Sequence, residues 1–255
     1  MSSVLITGCS KGIGRATALE LARRGHRVVA TARRPETIAD LPVALRLSMD
    51  VTDADSVNAA VDEAGDLDAL VSNAGEIFLA PVETTPLTEL TRLLELNTVG
   101  ALRVAQAVLP GMRRRGSGRL LFMSSVSGRT ALPMQAGYAA SKWALEALAE
   151  ALATEVRHFG ITVSLLEPGA VSSGALDNPT VYLAADDPYL PLAGQLSMDA
   201  RHMIDVEEVA GAAADALSDP NPPLRIPVGD PARQVLAARR ASDDTTPFLP
   251  MPLQW

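Results

Sequence analysis

Tyr138 and Lys142 lie four residues apart in a stretch of helical periodicity, which predicts a helix over about residues 138 to 159. Residues at this spacing share one face of a helix, so we expect the phenol and the ammonium to be neighbours. A free tyrosine has a pKa of about 10, and a nearby ammonium lowers it by roughly 1 to 3 units. Tyr138 is therefore expected to give a proton to a carbonyl oxygen or to take one from an alcohol. The pair alone is a weak signal, because many helix surfaces carry a tyrosine and a lysine at this spacing.

Three serines precede this pair, directly after a predicted strand over residues 119–123. Parallel sheets present their ligands at the carboxyl ends of strands, where a hydroxyl can hold a substrate oxygen and stabilise charge developing on it. The candidates are Ser124, Ser125 and Ser127. Their positions alone leave the choice among them open.

A glycine-rich turn follows the first predicted strand and leads directly into a helix. Glycines let the backbone approach a pyrophosphate closely, while the helix N-terminus supplies free N–H groups and the positive end of its dipole. The spacing differs from the usual G-x-G-x-x-G, and a plain strand-to-helix turn is the alternative. The residues expected to contact a dinucleotide here are Gly8, Ser10, Lys11, Gly12, Ile13 and Gly14.

The end of the second predicted strand, over residues 28–32, bears on which dinucleotide is bound. Sites that select NAD place a carboxylate there to accept from the ribose 2′-OH. This chain has Arg33 and no acid, and Arg33 with Lys11 could pair with a 2′-phosphate, which predicts NADP(H). The alternative is that both are solvated surface cations. Asp50, after the third strand, could bind the adenine amino group, although Asp50 or Asp53 could instead cap the next helix.

Short apolar runs alternate along the chain with segments of helical periodicity, a pattern typical of βαβ units and a parallel sheet. The runs are continuously apolar, as expected of strands covered by helices on both faces. We predict strands at 4–6, 28–32, a segment ending near Met49, 69–71, 119–123, 162–166 and 224–228, and helices at 13–24, 53–63, 87–115, 138–159 and 206–217.

The 255 residues fit one domain, 1–255, rather than two. Residues 174–205 are rich in proline and leucine without a sustained period, and we expect them to form a lid over a mainly apolar substrate. Residues 230–255 are expected to form a C-terminal tail.

The charge balance is acidic, with a net charge of −8 and a pI of about 4.9, which argues against nucleic acid as a partner. A single cysteine, Cys9, an N-terminus without the layout of a secretion signal and the lack of a long apolar run predict a cytoplasmic protein that does not span membranes. His26, His158 and His202 show no metal-ligand spacing, so no metal site is predicted.

Taken together, these residues resemble the short-chain dehydrogenase/reductase family over nearly the whole chain. Ser72 departs from the family, which commonly has a second asparagine before Asn73. The matching elements, in the family's order, are Thr7-Gly8 with Gly12-Ile13-Gly14, Asp50-Val51, Asn73-Ala74-Gly75, Asn97, Ser125, Tyr138 with Lys142, and Pro168-Gly169.

The resemblance implies a single-domain, doubly wound, Rossmann-like α/β fold with about seven strands and helices on both faces. It implies that Ser125 is the substrate serine, that Lys142 also binds the nicotinamide ribose, and that Asn97 connects Lys142 through water to solvent. Further cofactor contacts that it implies are Val51, Asn73, Ala74, Gly75, Tyr138, Pro168, Gly169, Val171 and Ser173.

The resulting expectation is an NADP(H)-dependent oxidoreductase, similar to ketoreductases and hydroxysteroid dehydrogenases, that interconverts a ketone and a secondary alcohol. The resemblance also implies a homodimer or homotetramer packed through residues 87–115 and 138–159. Two alternatives use the same fold: a non-catalytic NADP(H)-binding regulator, or an enoyl reductase or epimerase. A regulator would have no need to keep Ser125, Tyr138 and Lys142 together.

Overall fold

The protein is described from a computed structural model covering residues 1–174, 179–195, 203–243 and 245–249. The strands in these ranges are β1 (Ser3–Ile6), β2 (Arg27–Ala32), β3 (Leu45–Ser48), β4 (Ala69–Ser72), β5 (Phe78–Leu79), β6 (Gly118–Met123), β7 (Ile161–Pro168), β8 (Thr180–Val181) and β9 (Arg225–Val228). The helices are α1 (Gly12–Arg23), α2 (Ala54–Ala64), α3 (Leu87–Leu94), α4 (Gly100–Arg115), α5 (Ala136–Val156), α6 (Leu190–Gln195), α7 (Val206–Ser218) and α8 (Asp230–Ala241).

Seven of these strands form one parallel sheet in the order β3-β2-β1-β4-β6-β7-β9. The chain builds outward from β1 to β3 on one side and from β4 to β9 on the other, so the strand order reverses between β1 and β4. In sheets of this kind ligands bind at that reversal, beyond the carboxyl ends of the strands. The glycine turn after β1 and the asparagine after β4 both lie at this edge. The predicted Rossmann-like α/β fold with seven strands is confirmed.

Two apolar clusters cover the two faces of the sheet. On one face, Leu5 and Leu70 meet Val57 of α2, Val104 of α4 and Leu145 of α5. On the other face, Val4 and Val71 meet Leu21 of α1 and Val209 of α7. Neighbouring residues of one strand point to opposite faces, so a strand buried on both faces is apolar at successive positions, as residues 4–6 of β1 and 69–71 of β4 are.

The helices match the prediction except at two places, the helix over 87–115 and the C-terminal tail. The predicted helix over 87–115 is divided by a π-helical turn, Glu95–Val99, between α3 and α4. The predicted tail, 230–255, begins instead with a helix, α8, which contacts β9. The predicted lid, 174–205, contains β8, which pairs with β5 in a separate parallel sheet, and α6; its residues 175–178 and 196–202 lie outside the described ranges.

None of the helices in the described ranges is both long enough and apolar enough to cross a lipid bilayer.

Candidate active site

The glycine turn after β1 brings the backbone close to the start of α1. Gly8 and Gly12 have φ angles of 73° and 57°, in the left-handed region that favours glycine. A Cβ on Gly14 would lie 2.3 Å from the Gly8 carbonyl oxygen, so a side chain there would push the turn open. Ser10 and Lys11 are exposed at its rim, while Ile13 packs partly buried on the core.

Thr7 and Asn73 fasten this turn to the end of β4. The Thr7 hydroxyl oxygen accepts hydrogen bonds from the backbone N–H groups of Asn73 and Ala74, both at 2.9 Å. The Asn73 side-chain amide donates to the carbonyls of Thr7 at 2.9 Å and Gly8 at 3.2 Å. The Asn73-Ala74-Gly75 segment therefore holds the shape of the turn.

The segment after β7 reaches the same turn. A Cβ on Gly12 would lie 2.8 Å from the Ser173 carbonyl oxygen, so Ser173 crosses directly beside the glycines. Pro168, at the end of β7, is buried, and Gly169 is partly exposed. The Val171 side chain lies in the apolar cluster around α1 and α7, so a cofactor could meet it only through its backbone.

Of the charged residues predicted to recognise the adenosine half, Arg33 is 69% exposed and lies 3.6 Å from a Glu76 carboxylate oxygen. Of the two candidate N-cap residues of α2, Asp50 and Asp53, the cap is Asp53, which accepts from the backbone N–H groups of Asp55 and Ser56. Asp50 instead accepts from the Thr52 N–H and hydroxyl, which holds the pKa of its carboxyl below the usual value. Val51 is buried in the core, 5% exposed.

The three candidate serines after β6 have different partners. Ser124 donates its hydroxyl to the buried carboxylate of Glu146. Ser127 lies in a short 3₁₀ turn, Val126–Gly128, and its backbone N–H donates to the Ser125 hydroxyl at 3.1 Å. The Ser125 hydroxyl lies close enough to the Tyr138 phenol to lower its pKa, and it also donates to the Pro168 carbonyl at 3.5 Å. The structure therefore brings Ser125, and neither of its rivals, to the tyrosine.

Lys142 lies one turn after Tyr138 on α5, as the spacing predicts. Its side chain is buried, and its Nζ donates to the Met123 carbonyl at 2.7 Å and lies 5.7 Å from the centre of the Tyr138 ring. Burial lowers the pKa of Lys142 to about 8, against an opposing effect of the Glu146 carboxylate.

The expected acidity of Tyr138 is not found in this arrangement. Burial raises the pKa of its phenol to about 12, although the hydrogen bond with Ser125 acts in the opposite direction. The expectation was wrong because it counted the lysine charge and omitted the cost of burying a phenolate. At neutral pH Tyr138 therefore holds its proton.

Asn97 sits in the π-helical turn and is 1% exposed. Its side chain bonds the backbone of Glu76 and the Ser141 hydroxyl on α5. Single π-helical turns within an α-helix are common at functional sites. Asn97 thus lies between the end of β4 and the helix that carries Tyr138 and Lys142.

Three charged residues near the site were missed by the sequence analysis: Glu146, Glu167 and Arg225. Glu146 is 3% exposed, and Arg225 donates to it through Nε at 2.8 Å. Glu167 is 2% exposed, and burial raises the pKa of its carboxyl to about 7. One signal was available for Glu146, since it lies four residues after Lys142 and so on the same helix face.

The fold and this arrangement define a dinucleotide-binding oxidoreductase, and comparison with known proteins gives its family. The family model for short chain dehydrogenase matches residues 2–180. A 3-ketodihydrosphingosine reductase of Bacteroides thetaiotaomicron is 34% identical over 250 residues, covering 94% of this chain and 91% of that protein. Human 17-beta-hydroxysteroid dehydrogenase type 1 is 39% identical over 250 residues, covering 87% and 76%.

A solved short-chain dehydrogenase from Streptomyces avermitilis is similar with a TM-score of 0.84 and 35% identity, covering 94% of this chain and 93% of that one. The chain therefore belongs to the short-chain dehydrogenase/reductase family, and the predicted resemblance is confirmed. It is an oxidoreductase of a family that binds nicotinamide cofactors and acts on carbonyl or alcohol groups.

Proposed function

We propose that the chain is an NADP(H)-dependent oxidoreductase that interconverts an apolar ketone and a secondary alcohol, with Tyr138 as its general acid and base. The observation that carries this proposal is the meeting of Ser125, Tyr138 and Lys142 beyond the end of β6. Each side chain is held there by α5 or by the turn after β6. A protein that only bound the cofactor would not need this set.

In the direction of reduction, Tyr138 donates its proton to the substrate carbonyl oxygen. Its raised pKa keeps the proton in place at neutral pH until negative charge develops on that oxygen. The Ser125 hydroxyl holds the same oxygen, and the Lys142 ammonium stabilises negative charge nearby. These residues would lie beside a bound nicotinamide, which would supply the hydride for reduction and accept it in oxidation.

The glycine turn fits a dinucleotide, because Gly8, Gly12 and Gly14 leave the space that side chains would fill. Lys11 is the N-cap residue of α1, and its side chain makes no hydrogen bond to the first turn of that helix. The backbone N–H groups of this first turn are therefore not capped by Lys11 and face the glycine turn. These groups would hold the pyrophosphate, with Ser10 and Ile13 beside it. Asp50 and Val51 would contact the adenine.

The remaining cofactor contacts follow from the segments that border the turn. Asn73, Ala74 and Gly75 would line the ribose side, and Lys142 would bind the ribose hydroxyls. The residues at and after the end of β7 that would contact the nicotinamide carboxamide are Pro168, Gly169, Val171 and Ser173.

NADP(H) is proposed over NAD(H) on the charges at the end of β2. Arg33 is exposed and follows β2 directly, and the exposed Lys11 stands at the glycine turn. A guanidinium and an ammonium can pair with a 2′-phosphate, whereas a carboxylate that would bind a 2′-OH is missing from this part of the sequence.

An apolar substrate is supported by the surroundings of Tyr138. Its ring packs against a cluster of Phe78, Leu93 and Tyr182, in which the two aromatic rings meet edge to face at 5.5 Å. Tyr182 follows β8 and so belongs to the predicted lid. The names of two relatives specify a keto-sphingoid base and a hydroxysteroid, both largely apolar carbonyl or alcohol compounds.

The test is a spectrophotometric assay of NADPH against NADH with long-chain keto-sphingoid, steroid and short-chain ketones. We expect Tyr138→Phe to lower kcat/KM at least about 100-fold. The matched control is Tyr189→Phe, which removes a hydroxyl of the predicted lid that donates to Glu83. Full turnover by Tyr138→Phe would overturn the mechanism.

The cofactor assignment is tested by Arg33→Asp combined with Lys11→Ser. This change should weaken NADPH binding far more than NADH binding, because the 2′-phosphate loses both cations and meets a carboxylate. Equal losses for the two cofactors would contradict the assignment.

We also propose that the helices over residues 87–115, α3 and α4, and α5 form an interface between copies of the chain. Trp143 and Leu148 of α5 are 44% and 40% exposed, and a partner packed on α5 would cover these apolar side chains. Sedimentation of the wild type should give a dimer or tetramer, and Leu148→Asp should shift it toward monomer. A monomeric wild type would contradict this proposal.

A further inference from the structure

The inner face of α5 carries three polar residues spaced one helical turn apart, Tyr138, Lys142 and Glu146. Each meets a different residue of the segment that ends β6. Lys142 donates to the Met123 carbonyl at 2.7 Å, Glu146 accepts from the hydroxyl of Ser124, and Tyr138 lies close enough to Ser125 for its pKa to be lowered by that hydroxyl. The helix thus meets residues 123–125 at three consecutive points, and Glu146 is the one of the three helix residues that does not belong to the site proposed above.

Glu146 is an ionic residue in a place where burial is costly. It is 3% exposed, and its second oxygen accepts from Arg225 Nε of β9 at 2.8 Å. The turn above it leaves no free space, since a Cβ on Gly128 would lie 2.8 Å from both the Ser124 hydroxyl and the Glu146 Cγ. A buried ion pair of this kind usually stabilises a protein no more than well-packed apolar residues would.

The buried cluster behind Lys142 contains a second carboxylate near the same arginine. Glu167 of β7 lies 3.9 Å from the same Arg225 Nε, so two buried carboxylates share one guanidinium. Glu167 Oε1 is without a hydrogen-bond partner among the described residues. The charged groups facing Glu146 and Glu167 from the adjoining elements are Lys142 and Glu150 on α5, Arg225 on β9, Arg129 after the 3₁₀ turn and Arg240 on α8.

We propose that Glu146 is a positioning residue for the reaction: its carboxylate holds Ser124 so that Ser125 faces Tyr138, and its charge keeps the Lys142 side chain in the ammonium form. The proposal rests on the function proposed above. Glu146 acts through its neighbours and does not itself contact the substrate. Its effect on Lys142 is electrostatic and its effect on Ser125 is mechanical, so the two can be measured separately.

The electrostatic effect of Glu146 is to raise the pKa of Lys142. Burial lowers the pKa of Lys142 to about 8, close to physiological pH, and Glu146 is the group that opposes this lowering. Without the Glu146 charge the pKa of Lys142 would fall further, and the side chain would be largely neutral at pH values where the wild type is charged.

The chain offers a direct measurement, because Lys11 and Lys142 are its only lysines. Protein labelled with ¹³C at lysine Cε, prepared without cofactor, should show two titrating signals, assigned with Lys11→Arg. In Glu146→Gln the midpoint of Lys142 should fall by about one unit, as expected for the loss of a nearby opposite charge, while Lys11 should not move. The matched control is Glu150→Gln, which removes a carboxylate from the same arginine at the exposed end of the cluster and should leave Lys142 unchanged.

The kinetic measurement tests the consequence. In Glu146→Gln the alkaline limb of kcat/KM for ketone reduction should move to lower pH together with the Lys142 midpoint. Ser124→Ala should reduce kcat several-fold with little change in the Lys142 midpoint, because it removes the mechanical contact alone. A wild-type midpoint in Glu146→Gln and a wild-type kcat in Ser124→Ala would overturn the proposal, whatever happened to thermal stability.

If Glu146→Gln does not fold, Arg225→Gln gives a test of opposite sign. Removing the guanidinium takes a positive charge from the cluster, so the Lys142 midpoint should rise; a fall or no change would contradict the inference. Failure of the proposed function is recognised separately, as a wild type that reduces no ketone. The titrations on cofactor-free protein would then still decide whether Glu146 controls Lys142.

Discussion

Asn97 pairs with the backbone of Glu76 at two points. Its Oδ1 accepts from the Glu76 N–H at 2.9 Å, and its Nδ2 donates to the Glu76 carbonyl at 2.9 Å. Nδ2 also donates to the Ser141 hydroxyl at 3.0 Å. Since Glu76 follows the Asn73-Ala74-Gly75 segment that fastens the glycine turn, this one amide links the cofactor side of the site to α5.

Asn97→Asp should be strongly destabilising, because a carboxylate cannot donate to the Glu76 carbonyl and would place a negative charge against it. We expect the free energy of unfolding to fall by about 3 kcal/mol at neutral pH, measured by urea denaturation. Asn58→Asp, on the exposed side of α2, is the control and should change it little. Equal stability of the two variants would show that the paired geometry is wrong.

Gly14→Ala tests the close approach in the glycine turn. A Cβ at this position would lie 2.3 Å from the Gly8 carbonyl oxygen and 2.4 Å from the Asn73 Nδ2. We expect the free energy of unfolding to fall by about 2 kcal/mol. We also expect NADPH to bind much more weakly, as measured by fluorescence titration. Gly211→Ala on α7, where a Cβ would have open space, should instead stabilise the protein by about 0.5 to 1 kcal/mol. Unchanged NADPH binding in Gly14→Ala would contradict the fit of the dinucleotide to this turn.

The sheet could be predicted because burial on both faces leaves an unbroken apolar signal. Exposing runs such as Val4-Leu5-Ile6 and Ala69-Leu70-Val71 to water would cost free energy, so they are predicted to be buried strands. The turn residues after them mark the edge of the sheet where ligands bind. The Tyr138 and Lys142 pair could be placed on one face because helical spacing is local. These features depend on neighbours in the chain.

The features that were missed depend on contacts between distant segments. The burial of Glu146 and Glu167 depends on Arg225, and the pairing of β7 with β9 brings that arginine to them. The raised pKa of Tyr138 follows from its packing against Phe78, Leu93 and Tyr182, which are distant from it in the sequence. The π-helical turn at Asn97 was also missed, because the pattern over residues 87–115 was interpreted as one continuous helix.

Cys9 should be unreactive in the folded protein despite its position in the glycine turn. It is fully buried, its Sγ donates to the Ile6 carbonyl at 3.3 Å, and burial raises the pKa of the thiol to about 12. Because the thiolate is the reactive form, an aromatic disulfide reagent at about pH 8 should modify it only in denaturant. A variant that combines Cys9→Ala with Ser10→Cys moves the thiol to the exposed neighbour and should react at once. Rapid modification of the native wild type would mean that the turn opens readily.

Glu167 should make the folded protein lose stability as the pH rises. Burial raises the pKa of its carboxyl from 4.5 to about 7, so the folded state holds this proton more tightly than the unfolded chain does. For an acid with a raised pKa, the stabilising contribution is complete below the unfolded value and is lost as the pH rises through the folded one. The expected loss from this group is about 2 kcal/mol between about pH 5 and pH 8.

Glu167→Gln isolates that contribution, since the amide keeps the shape of the side chain without titrating. The variant should be more stable than the wild type by about 2 kcal/mol at about pH 8, and the difference should shrink toward about pH 5, where the wild-type carboxyl is protonated. Glu155→Gln, on the exposed surface of α5, should follow the wild type at every pH. Urea unfolding across this range gives both curves. A difference that stayed constant with pH would mean that Glu167 is not protonated in the folded protein near neutrality, and that the buried cluster behind Lys142 carries its full negative charge throughout.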